Sequence, residues 1–372
     1  MERINYDGLI AHLSQTDEPF GLLTMQATST TRRLHEVFPN RLKALYSAEH
    51  GFFGTLAAGE KADNAWHPIF NLPIHSLYGN CRKPTPEMLK GIKRFVIDLC
   101  DIGVRCYTYL ATLKNALEAC AEQKIPVTVM DRPIPMGDIL DGPSLDSGYT
   151  SFVAPINVPF CYGMTPGESA NWIRQTEKLD LDLTVIKLDG WSHQDHEPWP
   201  NFIPPSPAIR SWDNAVAYPM TVFTEAYPAV DCDRSGALAF RIIGAPWLNP
   251  LDVMKDLAPG LDACGVEMRP YRYQPNGGPY AGFTLNGILF SVPRRTGYYP
   301  VTAGILILAA LLQRYGDKVT LKSRPEWMDK LFGTSDVTKA LKSGDIDSLF
   351  RKWIDAQDAY VPTRVNLYSG VQ

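Results

Sequence analysis

Residues 42–54 read Leu-Lys-Ala-Leu-Tyr-Ser-Ala-Glu-His-Gly-Phe-Phe-Gly, a short apolar run followed by a carboxylate, an imidazole and glycines. The pattern predicts a buried strand that ends near Tyr46 and a loop that carries Glu49 and His50. Ligand sites in open α/β sheets form at the carboxyl ends of strands. This loop is therefore the first candidate for an active site.

Two later predicted strands end in the same way. Phe95–Leu99 and Val127–Met130 are apolar runs that lead directly into polar side chains. The residues concerned are Asp101, Arg105, Tyr107 and Tyr109 after the first run, and Asp131 and Arg132 after the second. Three strand ends that carry acids, bases and rings predict one shared pocket, and hence an enzyme.

The first half of the chain alternates strand and helix patterns. Thr30–Val37 is a helix candidate between two strands, Glu87–Lys93 is a shorter one, and an amphipathic helix follows from Leu110 to Lys124. This β-α-β series predicts an α/β fold with a Rossmann-like, doubly wound parallel sheet. Strands and helices past Tyr218 no longer alternate, so we expect a larger domain over residues 1–225 and a smaller α+β domain over 226–372.

Composition excludes some classes of function. The 372 residues carry a net charge of −4 and no basic run interleaved with aromatics, so we expect no nucleic-acid partner. Seven cysteines without CxxC spacing are typical of free thiols in a reducing compartment. The longest apolar run, Ala303–Leu312, is about half of the roughly 20 residues that cross a membrane, and reads as a buried helix. The chain as written is expected to be cytoplasmic, with a periplasmic or secreted location as the alternative if an export signal was removed. Its oligomeric state is not predicted.

No cofactor is expected. The segment after the first strand, Met25-Gln26-Ala27-Thr28, has no glycine that would let a pyrophosphate approach, and there is no G-x-S-x-G motif. His193, Asp195 and His196 lie in a loop pattern, which favours a solvated loop over a zinc site with fixed ligands.

Glu49 is the best candidate for a general acid. Tyr46, Phe52 and Phe53 are close in sequence, and apolar neighbours favour the protonated carboxyl that an acid needs near neutral pH. The alternative is that Glu49 caps a loop backbone or pairs with an arginine. His50 orients a ligand hydroxyl or supports the loop, and the sequence favours neither role.

The other strand-end residues also have structural alternatives. Asp98 with Arg105 is as consistent with an ion pair as with catalysis, while Asp101 is better placed as a ligand contact. Tyr107 and Tyr109 stack on a ligand ring or simply pack. The last pair, Asp131 and Arg132, holds polar ligand groups or forms a salt bridge at the strand end.

A second long irregular stretch, Gly190–Asn214, contains Trp191, Trp199 and Trp212. Long loops in compact domains usually have a binding or lid role, so we expect this one to border the pocket. The alternative is that the three indoles pin the loop onto the domain.

At these residues the chain resembles the family once catalogued as domain of unknown function 1343, now associated with exo-acting β-N-acetylmuramidases of the NamZ type. The matching segments follow one another along nearly the whole chain. They are AEHGFFG (48–54), AGE (58–60), SLYGNCRKPTPEML (76–89), DLCDIGVRCYTY (98–109), DRPIPMG (131–137), YGMTPGE (162–168), PPSP (204–207) and GAPW (244–247).

The resemblance implies a Rossmann-like domain joined to a smaller C-terminal domain, with the site in the cleft between them. It implies release of N-acetylmuramic acid from the non-reducing end of peptidoglycan-derived glycans, with Glu49 as the acid. The second catalytic group is Asp101, Asp131 or the acetamido group of the sugar itself. The lactyl carboxylate of the sugar would be read by an arginine, either Arg105, Arg132 or Arg234, with Arg132 slightly favoured. Substrate-binding positions carried over on the same grounds are His50, Glu60, Asp101, Arg105, Tyr107, Tyr109, Asp131, Arg132 and Arg234.

The chain departs from the family at two places. Family members commonly read N-Q-T-G where this chain has residues 25–28, and E-G-T-N…G-R-G-T where it has residues 225–237, keeping Arg234 and Glu225. The altered second segment leaves open an amino-sugar-binding protein without turnover. A metal-dependent hydrolase that uses His50, Asp98 and Asp131 is a further alternative.

Overall fold

The computed structural model describes residues 4–195, 198–199 and 201–368. Its strands are β1 (Phe20–Leu23), β2 (Leu42–Ser47), β3 (Ala65–Trp66), β4 (Pro73–Ser76), β5 (Arg94–Ile97), β6 (Val127–Met130), β7 (Leu140–Asp141), β8 (Cys161–Tyr162), β9 (Leu183–Ile186), β10 (Ile242–Ala245), β11 (Glu267–Tyr273) and β12 (Leu285–Ser291). Its helices are α1 (Tyr6–Leu13), α2 (Thr30–Val37), α3 (Tyr109–Glu122), α4 (Pro166–Thr176), α5 (Trp212–Thr221), α6 (Pro250–Ala263), α7 (Pro300–Tyr315), α8 (Asp317–Thr320), α9 (Pro325–Phe332), α10 (Asp336–Ser343) and α11 (Ile346–Tyr360). Short 3₁₀ turns cover Ser147–Tyr149, Val222–Glu225 and Val361–Thr363.

The large sheet has the order β3-β4-β2-β1-β5-β6-β9. All pairs are parallel except β3 with β4. The chain runs outward from β1 through β2 to β4, then returns to the other side of β1 and continues through β5, β6 and β9. The predicted doubly wound parallel sheet is confirmed. Its strand order reverses at β1, where the loops after β1, β2 and β5 separate and leave room for a site.

The second sheet is smaller and antiparallel, with the order β10-β12-β11. It contacts α5 and α6, and both of these helices pack on α7. The apolar run Ala303–Leu312 lies within α7 and is mostly buried, as predicted. Gly304 lies so close to α5 that a Cβ there would meet the Met220 carbonyl oxygen at 2.3 Å, so only glycine allows this packing. No helix in the described ranges is long and apolar enough to span a bilayer.

The two halves share one apolar core, which includes residues of both sheets. Asp141 of β7 also accepts hydrogen bonds from the Val301 and Thr302 amides at the start of α7, at 2.7 and 3.0 Å. A carboxylate at this position satisfies free N–H groups of the first helical turn. The division at residue 225 stays a prediction.

Two sequence-based elements differ in the structure. Residues 87–93, expected to be a short helix, form a turn in which Gly91 takes φ +80°, since so short a segment gains few helical hydrogen bonds for its ordering cost. Residues 240–243 predict a strand, but the strand in the structure begins at Ile242, because Phe240 has φ +64° and breaks the extended conformation. Helices α1, α5, α6, α8 and α10 were not predicted from the sequence.

Candidate active site

A cavity of about 390 Å³ opens at the carboxyl edge of the large sheet, where the second half of the chain covers it. Glu49 and His50 follow β2, Tyr78 follows β4, and Tyr107 and Thr108 follow β5. The facing wall comes from later in the chain. It includes Ser206, Ile209, Tyr218, Glu225, Arg234, Phe240, Arg324, Trp327 and Leu331.

Glu49 is 7% exposed and both of its carboxylate oxygens are engaged. The Gly59 amide donates to Oε1 at 2.8 Å, and the Thr108 hydroxyl donates to Oε2 at 2.5 Å. The Tyr78 phenol lies near this carboxylate, which raises the pKa of the tyrosine. The two hydrogen-bond donors hold the carboxylate in one orientation at the cavity wall. The rings of Phe52 and Phe53, expected beside it, do not line this cavity.

Tyr78 is influenced by both acids of the cavity. Burial, the charge of Glu49 and its hydrogen bond, and the charge of Glu225 raise the pKa of Tyr78 to about 12, while Arg82 opposes them. The phenol therefore stays protonated throughout the neutral range and remains a donor.

His50 takes the left-handed backbone conformation, with φ +73°, and Gly51 follows with φ +72°. Residues other than glycine seldom adopt this backbone conformation, and two consecutive residues with positive φ turn the chain sharply after Glu49. The Nδ1 atom of His50 lies 2.8 Å from the Leu56 carbonyl oxygen, which can only accept. Nδ1 therefore carries a proton, and this hydrogen bond fixes the orientation of the ring in the cavity wall.

The facing wall carries an ion pair. Arg234 Nη1 lies 2.8 Å from Glu225 Oε1, and this glutamate raises the pKa of Arg234 against the effect of burial. Arg324, at the start of α9, donates a hydrogen bond to the backbone carbonyl of Glu225. It forms no ion pair with any carboxylate in the described part of the chain. The cavity wall thus carries two guanidinium groups. That of Arg234 is paired with a carboxylate, and that of Arg324 is not paired with any carboxylate of the described residues.

Asp101 and Arg105, both predicted to bind substrate, lie outside the cavity lining. Asp101 accepts from the Gly103 amide at 2.8 Å and from the Tyr162 hydroxyl at 3.2 Å. Arg105 is fully buried and donates to the carbonyls of Pro143, Val158 and Phe332 at 2.9, 2.6 and 2.5 Å. These contacts tie loops of the first half to the end of α9, and neither side chain reaches the cavity.

Asp131 and Arg132 are also outside the lining. Asp131 accepts from the Thr165 hydroxyl and the Gly167 amide, both at 2.7 Å, and from Tyr368. Arg132 pairs with Asp98 at 2.6 Å. The strand-end salt bridge considered for this segment is formed, with Asp98 as the partner.

Of three further predicted positions, one lines the cavity and two make hydrogen bonds that hold neighbouring loops. Tyr107 lines the cavity, whereas Tyr109 does not and donates to the Pro205 carbonyl at 2.6 Å. Glu60 is exposed and accepts from the Ala57 amide at 2.9 Å, which closes the loop that brings Gly59 to Glu49.

The residues considered for a metal do not form a ligand set. His193 is buried against Glu168 at 2.9 Å, Asp195 caps the Ser192 amide, and His196 lies outside the described residues. The described ranges contain no group of three His, Cys, Asp or Glu side chains that could hold an ion. His50, Asp98 and Asp131 are likewise not brought together, since only His50 lines the cavity.

The long loop borders the cavity through Ser206 and Ile209, but none of its three indoles does. Trp191 packs on Tyr368 with ring centroids 4.9 Å apart, and Trp199 packs on Trp212 at 4.4 Å. The loop therefore forms part of the wall, and its tryptophans hold it in place.

Several lining residues were not singled out from the sequence. Tyr78 lies in the segment SLYGN just after β4, so the strand-end pattern was a usable signal. Thr108 lies between Tyr107 and Tyr109 and was not assigned a role from the sequence. Arg324 and Trp327 belong to the beginning of a helix, and no local pattern marks them as neighbours of Glu49.

Two family models together cover most of the chain. "Exo-beta-N-acetylmuramidase NamZ, N-terminal" covers residues 8–213, and the corresponding C-terminal model covers residues 216–368. The peptidoglycan β-N-acetylmuramidase NamZ of Bacillus subtilis (strain 168) is 30% identical over 355 residues, which is 92% of this chain and 85% of that protein.

Solved structures agree with this match. A DUF1343 family protein from Bacteroides fragilis NCTC 9343 superimposes with a TM-score of 0.89, at 27% identity over 99% of each chain. A second DUF1343 family protein from the same organism has a TM-score of 0.71 at 24% identity over 94% of each chain, which supports the fold alone.

Proposed function

Because the chain belongs to the exo-β-N-acetylmuramidase NamZ family, we propose that it releases a terminal N-acetylmuramic acid from peptidoglycan-derived glycans, with Glu49 as general acid. The observation that carries the proposal is the position of Glu49. Its carboxylate lies in the wall of a cavity large enough for a sugar, and the Gly59 amide and Thr108 hydroxyl fix its orientation.

The reaction needs a proton at the glycosidic oxygen as the bond to the anomeric carbon breaks. Glu49 would donate that proton while an oxocarbenium-like transition state forms. Gly59 and Thr108 hold the Glu49 carboxyl in one orientation. The side chain therefore loses little further conformational freedom when it transfers the proton to the glycosidic oxygen.

Glu225 is the second carboxylate we assign to the reaction. The earlier candidates were Asp101 and Asp131, but their carboxylate oxygens accept hydrogen bonds from buried protein donors. Glu225 lines the cavity and is steadied by Arg234. We propose that it stabilises the positive charge that develops on the sugar ring. Participation by the acetamido group of the substrate remains the alternative route, and it also leaves Glu49 as the acid.

Arg324 is our candidate for reading the lactyl carboxylate of the muramyl group. Arg105 and Arg132 are buried among protein partners, and Arg234 is paired with Glu225. Arg324 lines the cavity, carries a permanent charge and has no carboxylate partner in the described residues. Its guanidinium has donors beyond the one given to the Glu225 carbonyl, which suits a planar anion.

Turnover of a chromogenic β-N-acetylmuramide, beside the matching glucosaminide, tests the function. Glu49→Gln keeps the shape of the side chain and removes the proton, so we expect a loss of about 10²–10⁴-fold in kcat on a substrate with a sugar leaving group. The loss should be smaller with an activated aryl leaving group, which departs without a proton. Glu87→Gln, at an exposed position outside the cavity, is the matched control and should stay near wild-type turnover.

The outcomes separate the hypotheses. Wild-type turnover by Glu49→Gln on the sugar leaving group would remove Glu49 as the acid. Binding of N-acetylmuramic acid by the wild-type protein without cleavage of either substrate would favour the amino-sugar-binding protein instead.

A further inference from the structure

A smaller cavity of about 280 Å³ adjoins the one that contains Glu49. Ser206 lines both cavities, so the two share part of their wall. The loop after β2 also reaches both, with Glu49 in the first and Phe53 in the second. A molecule that extends out of the catalytic cavity past Ser206 would enter this side cavity.

The walls of the side cavity are held by hydrogen bonds. The Gln26 amide donates to the Phe52 carbonyl at 2.7 Å, which joins the loop after β1 to the loop after β2. Between the lining residues Pro204 and Ser206, the Pro205 carbonyl accepts a hydrogen bond from the Tyr109 hydroxyl at 2.6 Å. Both loops are therefore fixed before any ligand binds, which lowers the ordering cost of binding.

The lining of the side cavity is mostly apolar. It includes Met25, Ala27, Phe53, Pro204, Ser206 and Pro207, and it contains no carboxylate. Phe53 packs on Phe52 and His67, with ring centroids 5.3 and 6.0 Å apart, and 41% of the residue remains exposed, so part of the ring is accessible to a ligand. The charged member is Arg210, whose guanidinium is bound to the carbonyls of Pro207, Ser235 and Gly236. Such a lining suits a neutral ring that has an apolar face and a few hydroxyls.

We propose that the side cavity binds the sugar on the leaving side of the scissile bond, a neutral N-acetylated hexosamine whose ring face packs on Phe53. The assignment rests on the proposed function, since it needs the terminal muramyl unit to occupy the catalytic cavity. The volume is at the lower end for small-molecule sites and fits a single sugar ring. Recognition of the glycan by this protein then extends to one sugar beyond the bond that is cut.

Phe53→Ala tests the assignment with two substrates that share the muramyl group. One is the disaccharide N-acetylmuramyl-β-N-acetylglucosamine, and the other is the β-muramyl fluoride, whose leaving group is a single atom that cannot reach the side cavity. We expect kcat/KM to fall about tenfold on the disaccharide, the order of a lost aromatic contact, and to change less than about twofold on the fluoride. Phe53→Trp keeps a ring and should restore activity on the disaccharide. Phe283→Ala, which removes another exposed ring, is the control and should change neither.

Equal losses on both substrates would overturn the proposal, because Phe53 would then act through the loop that holds Glu49. No loss on either would also overturn it. Saturation-transfer NMR with N-acetylglucosamine reads the side cavity without turnover. Signals that Phe53→Ala abolishes support the proposal even if the wild-type protein cleaves neither substrate, an outcome that would count against the proposed function alone.

Discussion

Arg132 binds both carboxylate oxygens of Asp98, with Nε 2.6 Å from Oδ1 and Nη2 3.0 Å from Oδ2. Their side chains are 4% and 0% exposed. The same Nη2 lies 3.2 Å from the Tyr6 hydroxyl and 3.4 Å from that of Thr30. The pair thus joins the ends of β5 and β6 to α1 and α2. Because its guanidinium is held by all these protein groups, Arg132 has a structural role.

Arg132→Met should therefore destabilise the protein strongly. It leaves Asp98 buried without its counter-charge, and breaking a buried pair in this way costs about 3–5 kcal/mol. The measurement is the free energy of unfolding in urea. Arg32→Met breaks the exposed Arg32–Glu36 pair at 3.0 Å and is the matched control, with an expected cost below about 1 kcal/mol. If Arg132→Met were as stable as wild type and bound muramides less well, Arg132 would be the reader of the lactyl carboxylate.

The strand-end pattern predicted the sheet and the edge at which the cavity lies. It predicted side chains of the site less well, and Asp98, Asp101 and Asp131 explain why. A carboxylate that is buried after a strand needs donors, and the protein itself supplies them through Arg132, Gly103 and Thr165. The same residue types in the same positions therefore build either a ligand site or a loop anchor. Only the tertiary structure distinguishes the two.

The facing wall could not be predicted from local sequence. Glu225 lies in a 3₁₀ turn, and Arg324 precedes α9. Periodicity reports which face of an element is buried, but not which distant element covers it. Arg234 was found through the family resemblance, and its pairing with Glu225 became visible only in three dimensions.

The contributions of two buried aspartates, Asp101 and Asp131, to the free energy of unfolding should increase as the pH falls from above 6 towards 4. Burial raises the pKa of Asp101 to about 6, against the hydrogen bonds from Gly103 and Tyr162, and burial likewise raises that of Asp131 to about 6. The folded protein then binds these protons more tightly than the unfolded chain, whose aspartates have a pKa of about 3.9. The cost of the buried charge is fully present above pH 6 and is relieved as the pH falls through this window.

Asp101→Asn isolates one of these groups. Its free energy of unfolding, subtracted from that of wild type, should give a difference that grows in favour of wild type between about pH 6 and pH 4. The exposed Asp63→Asn is the control and should leave the pH dependence unchanged. A difference that shrinks over the same range would mean that the bonds from Gly103 and Tyr162 outweigh burial and favour the charged form.

Arg324→Met should lower affinity for muramides and leave glucosaminides nearly unaffected. The two sugars differ in the lactyl carboxylate, and a hydrogen bond to a charged group is worth about 1.5–3 kcal/mol, or roughly ten- to 100-fold in binding. Arg324→Lys keeps the charge without the planar fork and should lie between the two. The measurement is KM, together with inhibition by N-acetylmuramic acid and by N-acetylglucosamine.

Arg269→Met, on exposed β11 outside the cavity, is the control and should change neither. Arg234→Met should instead impair both sugars, because it leaves Glu225 without its partner. Equal losses on both sugars in Arg324→Met would show that Arg324 shapes the wall through the Glu225 carbonyl and does not read the carboxylate.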